Sequence, residues 1–427
     1  MTDPTGREAV AAVWRIESAR IVGALARYTG DFALAEDLAQ EALAEALVTW
    51  PREGVPRQPA GWLLTVGRRR AIDGFRRRAA LDERYAVLAH QLGEGGAHAG
   101  GPPPDPAEDV LWDPDQIDDD VLALMFTACH PVLSPEARVA LTLRVVGGLT
   151  SDEIAKAFLV PTATVQARIT RAKKTLAAAR VAFEVPPPEE RTARLGSVLS
   201  VVYLIFTEGS LASSGDDLIR LDLASEAQRL ARVLTRLVSD EPEVFGLLAL
   251  LELSAARFPA RTGPDGEPVL LEHQDRSRWD RAAIRRGRAA LARAGEVGRG
   301  LGAYGLQAAI AECHALAPSV KATNWERIVL LYEALARLAP SPVVDLNRAV
   351  AVSMAQGPAA ALPIVDELAA AGSLAHSHLL PTVRGELLTR LGRTDEARSE
   401  LERALELCGN VAERAVLEGK IADLSSG

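Results

Sequence analysis

Residues 149–177 read LTSDEIAKAFLVPTATVQARITRAKKTLA, and their apolar spacing predicts a helix-turn-helix. Thr150 with Glu153 three residues on forms a capping box, each side chain satisfying an amide the helix start leaves open. Ile154, Ala155 and Phe158 then face inward. Leu159, Val160 and Pro161 form the break, because proline disfavours helix at the residue before it. Thr162 is placed to cap the second helix, in which Val165, Ile169, Ala172 and Leu176 make a buried stripe. Its opposite face carries Thr164, Gln166, Arg168, Arg171, Lys173 and Lys174, with no acidic residue anywhere along it. Short polar groups at the helix start with cations behind them suit reading base edges and gripping phosphate. The alternative is a solvated basic face on a core helix.

That basic helix stands out because the whole chain is acidic, with formal net charge −9 over 427 residues. Such a length calls for two or three domains. Apolar residues make up 48% of the chain but aromatics only 4%, and alternating Val/Ile/Thr runs are almost absent, which predicts an all-α fold. Cys129, Cys313 and Cys408 are isolated and odd in number, which excludes a disulfide framework and fits a reducing cytosol. The first twenty residues carry charge inside every short apolar run, unlike a signal peptide. No stretch approaches 18 uninterrupted apolar residues, so no membrane span is expected.

Composition divides the chain into modules. Helical periodicity fills 8–80. Residues 90–108, HQLGEGGAHAGGPPPDPAE, are rich in Gly and Pro, and eight acidic residues without a basic one follow between Asp105 and Asp120; together they predict a flexible acidic linker over 81–119. Helical patterning then covers 120–183, ends at Val185-Pro186-Pro187-Pro188, and gives way to an Ala/Leu-rich region over 184–427. Within that region Gln356–Leu368 overlays Gly392–Ala404 at an offset of 36, with Ala361 on Ala397. LGRTDEARSELERALEL (391–407) and WERIVLLYEALARLAPSP (325–342) read as helices of a tetratricopeptide-like (TPR-like) repeat, against generic helical hairpins.

Two N-terminal stretches carry partner signals. In LAEDLAQEALAEALV (34–48), Leu34, Leu38, Ala42 and Leu47 face a core while Glu36, Asp37, Gln40 and Glu41 cluster outside. An acidic, amide-bearing stripe suits docking on a basic protein surface, or is simply solvated. In PAGWLLTVGRRRAIDGFRRR (59–78), six arginines follow Trp62. Helical spacing gathers Leu63, Val66, Ile72 and Phe75 and leaves Arg68, Arg69 and Arg76 outside, an arrangement suited to phosphate contact beside base stacking.

AEDLAQEA (35–42), GWLLTVGRRRAIDGFRRR (61–78) and the helix-turn-helix resemble, in order, the RNA polymerase sigma factors of the extracytoplasmic-function (ECF) class. The resemblance implies that Glu36, Asp37, Gln40 and Glu41 bind the clamp of the polymerase largest subunit. It implies that Trp62, Arg68, Arg69, Arg70, Arg76 and Arg77 engage the −10 element. The −35 element would fall to Thr162, Thr164, Gln166, Arg168, Arg171, Lys173 and Lys174. Arg69 stands where the broad class commonly has Asn, so no rule for −10 sequence carries over. FTACHPVLS (126–134), VYLIFTEGS (202–210), LEHQDRSRWDR (271–281), YGLQAAIAECHA (304–315) and SPVVDLNRAVAV (341–352) resemble the ECF subgroup with a C-terminal TPR-like extension. The implied partners are core polymerase (clamp and flap region), promoter DNA, and a protein or small molecule at the extension, with no membrane; the implied place is the cytoplasm.

Enzymatic and metal readings are weak. His376-Ser-His378 lacks further ligands at metal spacing, Cys129-His130 is a single pair, and GGLTSDE (147–153) lacks the lysine of a phosphate loop, so neither cofactor, metal nor covalent chemistry is expected. Glu272 to Asp280 is the densest polar group of the extension and reads first as a network of caps and ion pairs. The rival readings are a TPR-type scaffold and a stand-alone helix-turn-helix regulator acting without polymerase.

Overall fold

The computed structural model describes residues 4–91, 114–158, 160–210, 221–263, 269–297, 300–409 and 411–426. Among them the regular elements are helices, as the composition predicts. They form two compact units, Met1–Val202 and Tyr203–Gly427. The unit boundary falls beyond the prolines at 186–188, inside a helix.

In the first unit, α1 (Pro4–Thr29), α2 (Phe32–Glu53) and α3 (Pro59–Gln91) pack mutually. Asp31 starts α2 by accepting from the amides of Ala33 and Leu34. Val10, Trp14, Ile21 and Leu25 of α1 meet a stripe on α2 made of Ala35, Leu38, Ala39, Ala42, Ala46 and Trp50, and Leu63 and Val66 of α3 are also buried. Leu47 is exposed, not in this core. The run RAALDERYAVLAHQ has neither Gly nor Pro, and α3 continues through it to Gln91. The linker expected over 81–119 is therefore helical at its start, and α4 (Pro114–Ala128) occupies its end; residues 92–113 lie outside those described.

The helix-turn-helix module comprises α4, α5 (Pro135–Val145), α6 (Ser151–Ala157) and α7 (Thr162–Ala178). It packs directly on the three-helix module, α4 against α1. Arg27 pairs with buried Asp120 at 2.9 Å across that junction. The turn into α6 needs Gly148: its φ is +69°, and a Cβ there would lie 2.6 Å from the Ser18 hydroxyl. α8 (Pro188–Ser210) follows and crosses the unit boundary.

The second unit continues with α9 (Leu221–Leu237), α10 (Pro242–Ala255), α11 (Arg281–Val297), α12 (Ala303–Leu316), α13 (Trp325–Leu338), α14 (Pro342–Gln356), α15 (Pro358–Ala370), α16 (Leu379–Arg390), α17 (Thr394–Leu407) and α18 (Val411–Ser426). From α9 onward each helix packs chiefly on sequence neighbours, α10 on α9, α11 and α12, and α14 on α13, α15 and α16. Neighbour-only packing is the pattern of a helical repeat, in which each hairpin buries its apolar face against the next. The repeat offset is present in the helices themselves, since α15 starts at Pro358 and α17 at Thr394, and Ala361 and Ala397 are both fully buried. No helix among the described residues is long and apolar enough to cross a membrane.

Small residues set the closest helix approaches. A Cβ on Gly246 of α10 would lie 2.7 Å from the Gly305 amide of α12. We expect Gly246→Ala to destabilise the second unit by about 1–3 kcal/mol through overpacking. Gly295→Ala, on exposed α11 surface with nothing within 4 Å of the new Cβ, should be neutral or stabilising by up to about 1 kcal/mol. Urea denaturation of the two variants checks the contrast.

Candidate polymerase and promoter interface

The buried stripe of α7 is Val165, Ile169, Ala172 and Leu176, as its periodicity predicts. The capping box of Thr150 and Glu153 is present. Thr162 does not cap α7: Pro161 occupies the cap position, and the Thr162 hydroxyl instead donates to Asp152 at 2.8 Å, tying α7 to α6. Gln166, Arg171 and Lys174 are exposed, while Thr162, Thr164, Arg168 and Lys173 are half-buried. Leu159 lies outside the described residues.

Lys173 is turned away from any external partner. Its ammonium donates to Glu36 at 2.7 Å and Asp37 at 2.5 Å, both on α2. Arg144 of α5 reaches the other oxygen of Glu36 at 3.3 Å. Burial alone would depress the Lys173 amine, but Glu36 and Asp37 outweigh it and hold it above its ordinary range. Glu36 is 4% exposed, which corrects its placement on the outer face of α2. The reason is tertiary: two cations from α5 and α7 compensate the carboxylate, so it can leave water. Asp37 and Glu41 are exposed, and Gln40 is half-buried. Arg15 of α1 adds a peripheral bond to Glu153 at 2.6 Å.

The arginines of α3 have three kinds of surroundings. Arg76 and Arg77 are exposed. Arg69 pairs with Glu45 at 2.9 Å, and Arg70 spans Glu41 at 2.8 Å and Glu45 at 2.7 Å. Glu45 therefore falls below the usual carboxylate range, chiefly through its hydrogen bond from Arg70. Arg68 is half-buried over the Tyr28 ring at 5.4 Å, not outside, and burial lowers its guanidinium. Trp62 meets Trp50 edge-to-face at 5.6 Å. It helps line an open cleft of about 340 Å³ with Glu45, Gln58, Gly61, Thr65, Val66 and Arg69. Sequence spacing missed Glu45 and Arg144: Glu45 sits on the same α2 face as Glu41 and was legible, whereas Arg144 lies 108 residues from its partner.

The weak metal candidates resolve differently. Cys129 is buried, its thiol pushed up to about 11 by desolvation and bonded to Thr142, and the imidazole Nδ1 of His130 accepts from the Val132 amide. His378 does meet other metal-capable groups, with Cys408 and Glu413 placed so that the three ligand atoms lie within 4.8 Å of one another. His378 pairs with the Glu413 carboxylate at 3.2 Å.

An all-helical chain with a three-helix module, a capped helix-turn-helix and a helical-repeat unit defines a multidomain regulator of the sigma type, and comparison with known proteins agrees. Residues 15–80 match the sigma-70 region 2 family, 123–176 match sigma-70 region 4, and 194–295 match a family of unknown function, DUF6596. An uncharacterised protein of Rhizobium meliloti (strain 1021) is 43% identical over 95% of this chain and 93% of its own length. The probable ECF RNA polymerase sigma factor SigI of Mycobacterium tuberculosis is 30% identical over 43% of this chain and 59% of its own. A tetratricopeptide repeat protein from Parabacteroides merdae superposes at 12% identity over 65% of this chain and 99% of its own, with a TM-score of 0.34. The chain belongs to the ECF sigma factors, in a form carrying a long C-terminal helical extension.

The Glu36 cluster gives a sharp energetic contrast. Glu36→Ala leaves Arg144 without a carboxylate and Lys173 with Asp37 alone at a largely buried junction, and should cost about 3 kcal/mol. Glu41→Ala, at an exposed pair, should cost under about 1 kcal/mol. Urea unfolding of both variants measures the difference, and equal costs would mean that the junction is not formed in solution.

Proposed function

We propose that this sigma factor docks on core polymerase through Asp37, Glu41, Gln40 and Glu36, and that its α3 arginines with Trp62 engage the −10 element. In this reading α7 reads the −35 duplex, with Thr164 and Gln166 at base edges and Arg168, Arg171, Lys173 and Lys174 on phosphates. The cleft beside Trp62 offers an aromatic wall and polar groups to an unstacked base. The protein performs no covalent chemistry; the polymerase does. It acts in the cytoplasm, and the extension regulates the two sigma modules.

One observation carries a further step in that reading: Lys173 is bonded to the docking carboxylates themselves. With its ammonium enclosed between Glu36 and Asp37, Lys173 has no open face for a DNA phosphate, nor can Glu36 contact polymerase while it is enclosed by Arg144 and Lys173. The described arrangement is therefore a closed one, and holoenzyme formation separates α7 from α2. With net charge −9, the free protein should hold promoter DNA weakly, so specificity arises in the holoenzyme.

Reconstituted transcription with purified core polymerase tests the reading. Promoter-specific initiation should depend on the protein, and Asp37→Lys with Glu41→Lys should weaken core binding in a pull-down titration while the helical circular dichroism is retained. Initiation without it, or unchanged core affinity in the double variant, overturns the docking assignment. A chain ended at Ser210 should initiate to a markedly different extent from the full chain if the extension regulates.

Closure has a separate readout. Arg27→Ala removes the partner of Asp120 at the α1–α4 junction and leaves the proposed core-polymerase residues on α2 in place. It should raise core affinity several-fold by loosening the closed form, in the direction required by a population shift. A folded Arg27→Ala protein with unchanged or weaker core affinity would show that closure does not limit docking.

A further inference from the structure

Buried carboxylates in the second unit have arginine partners, but one group of arginines there has no carboxylate. Arg257 follows α10, Arg261 follows the short turn at 258–260, and Arg276 opens the turn at 276–278. None of the three forms a salt bridge with a carboxylate among the described residues. Arg261 donates to the Ser210 carbonyl at 2.9 Å, and Arg276 to the carbonyls of His314 at 2.5 Å and Ala317 at 2.7 Å at the end of α12. Those bonds satisfy donors without neutralising charge.

The group converges on Trp279, which is 2% exposed. The Arg276 guanidinium lies 4.6 Å from the indole centroid and that of Arg257 lies 5.7 Å from it. Four buried nitrogens in this neighbourhood lack any hydrogen-bond partner: Arg257 Nε, Arg276 Nη2, Trp279 Nε1 and His314 Nδ1. Burial, with Arg261 and Arg276 nearby, brings the Arg257 guanidinium down to about 10, still charged at neutral pH. Burial, with Arg257 and Arg276 nearby, holds His314 near 4, hence neutral. Caps account for the rest of the polar run, Asp275 on Ser277 and Asp280 on Ala282 and Ala283. They leave the arginines unexplained.

These arginines are half-buried, so each carries part of the cost of taking a charge from water without a counter-ion, and the buried donors without acceptors add to it. An external anion removes both costs at once. We infer that Arg257, Arg276 and Trp279, with Arg261 behind them, form a binding site for an oxyanion, so that the extension is a receptor for a small phosphate-bearing ligand. Three cations beside a neutral histidine match a charge near −2, that of a phosphate monoester at neutral pH, better than a monocarboxylate. Guanidinium donors and an indole N–H supply the charge-assisted bonds such a group takes.

The test uses the full chain and orthophosphate as probe, by isothermal titration and thermal melting, against acetate and chloride at matched ionic strength. Orthophosphate should give a saturable one-site isotherm and raise the melting temperature, with acetate weaker and chloride inert. Arg257→Met should abolish the phosphate-dependent rise. Trp279→Phe, which keeps the ring and drops the N–H, should weaken binding by roughly tenfold, the equivalent of one charge-assisted bond. Preference for acetate over phosphate reassigns the ligand to a carboxylate and overturns the phosphate assignment. No saturable phosphate isotherm, or one unchanged in both variants, overturns the site. Because the readout is binding, it stands or falls independently of transcription.

Discussion

Glu36 holds the first unit in its arrangement. A carboxylate 4% exposed must carry its compensation with it, and here the compensation comes from Arg144 of α5 and Lys173 of α7. The helix-turn-helix module is thereby fixed on the three-helix module by charge as well as by apolar contact, with Arg27–Asp120 reinforcing the same junction. Breaking such a cluster in water alone is expensive, but exchange for another set of cations is far less so. In the proposed docking, a basic polymerase surface would offer that exchange to α2, and DNA phosphates the mirror-image exchange to α7.

The same logic orders the α3 arginines. Arg69 and Arg70 are held by Glu41 and Glu45 of α2, whereas Arg76 and Arg77 stand free of that face. Exposed pairs of this kind are worth little and are screened by salt. They neutralise Arg69 and Arg70 without fixing them, whereas the Glu36 junction is shielded from solvent.

What could be read in the sequence follows from how local its cause is. The α7 stripe, the Thr150–Glu153 box and the Ala361/Ala397 repeat are set by period and spacing within a few turns, and all three are present. Glu36 and Asp37 are adjacent on one polar face, and nothing local distinguishes them; the partner that buries Glu36 lies 137 residues away. Thr162 lies one position inside α7, because Pro161 takes the cap site. Arg68 left the predicted outer face because Tyr28 of α1 offers it a ring, again a tertiary partner. Leu47 lies one residue past Ala46, about 100° round the helix, and so turns off the buried stripe of Ala42, Ala46 and Trp50.

The second unit supplies its own control for reading its buried charges. Glu252, 1% exposed, meets Arg232 at 2.5 Å and Arg286 at 2.9 Å, and Glu226 meets Arg229 at 2.7 Å. Its helices thus bring a cation to each of these buried carboxylates, from the same helix or from a neighbour. Arg257 and Arg276, both half-buried, break that pattern in the same fold, around a buried tryptophan whose N–H is also unanswered. If helix packing alone had placed them, an apolar side chain would fill the space at lower cost. Pairing where the chain needs only stability, and its absence at one converging cluster, separates the charges that hold this unit together from those that remain available to a ligand.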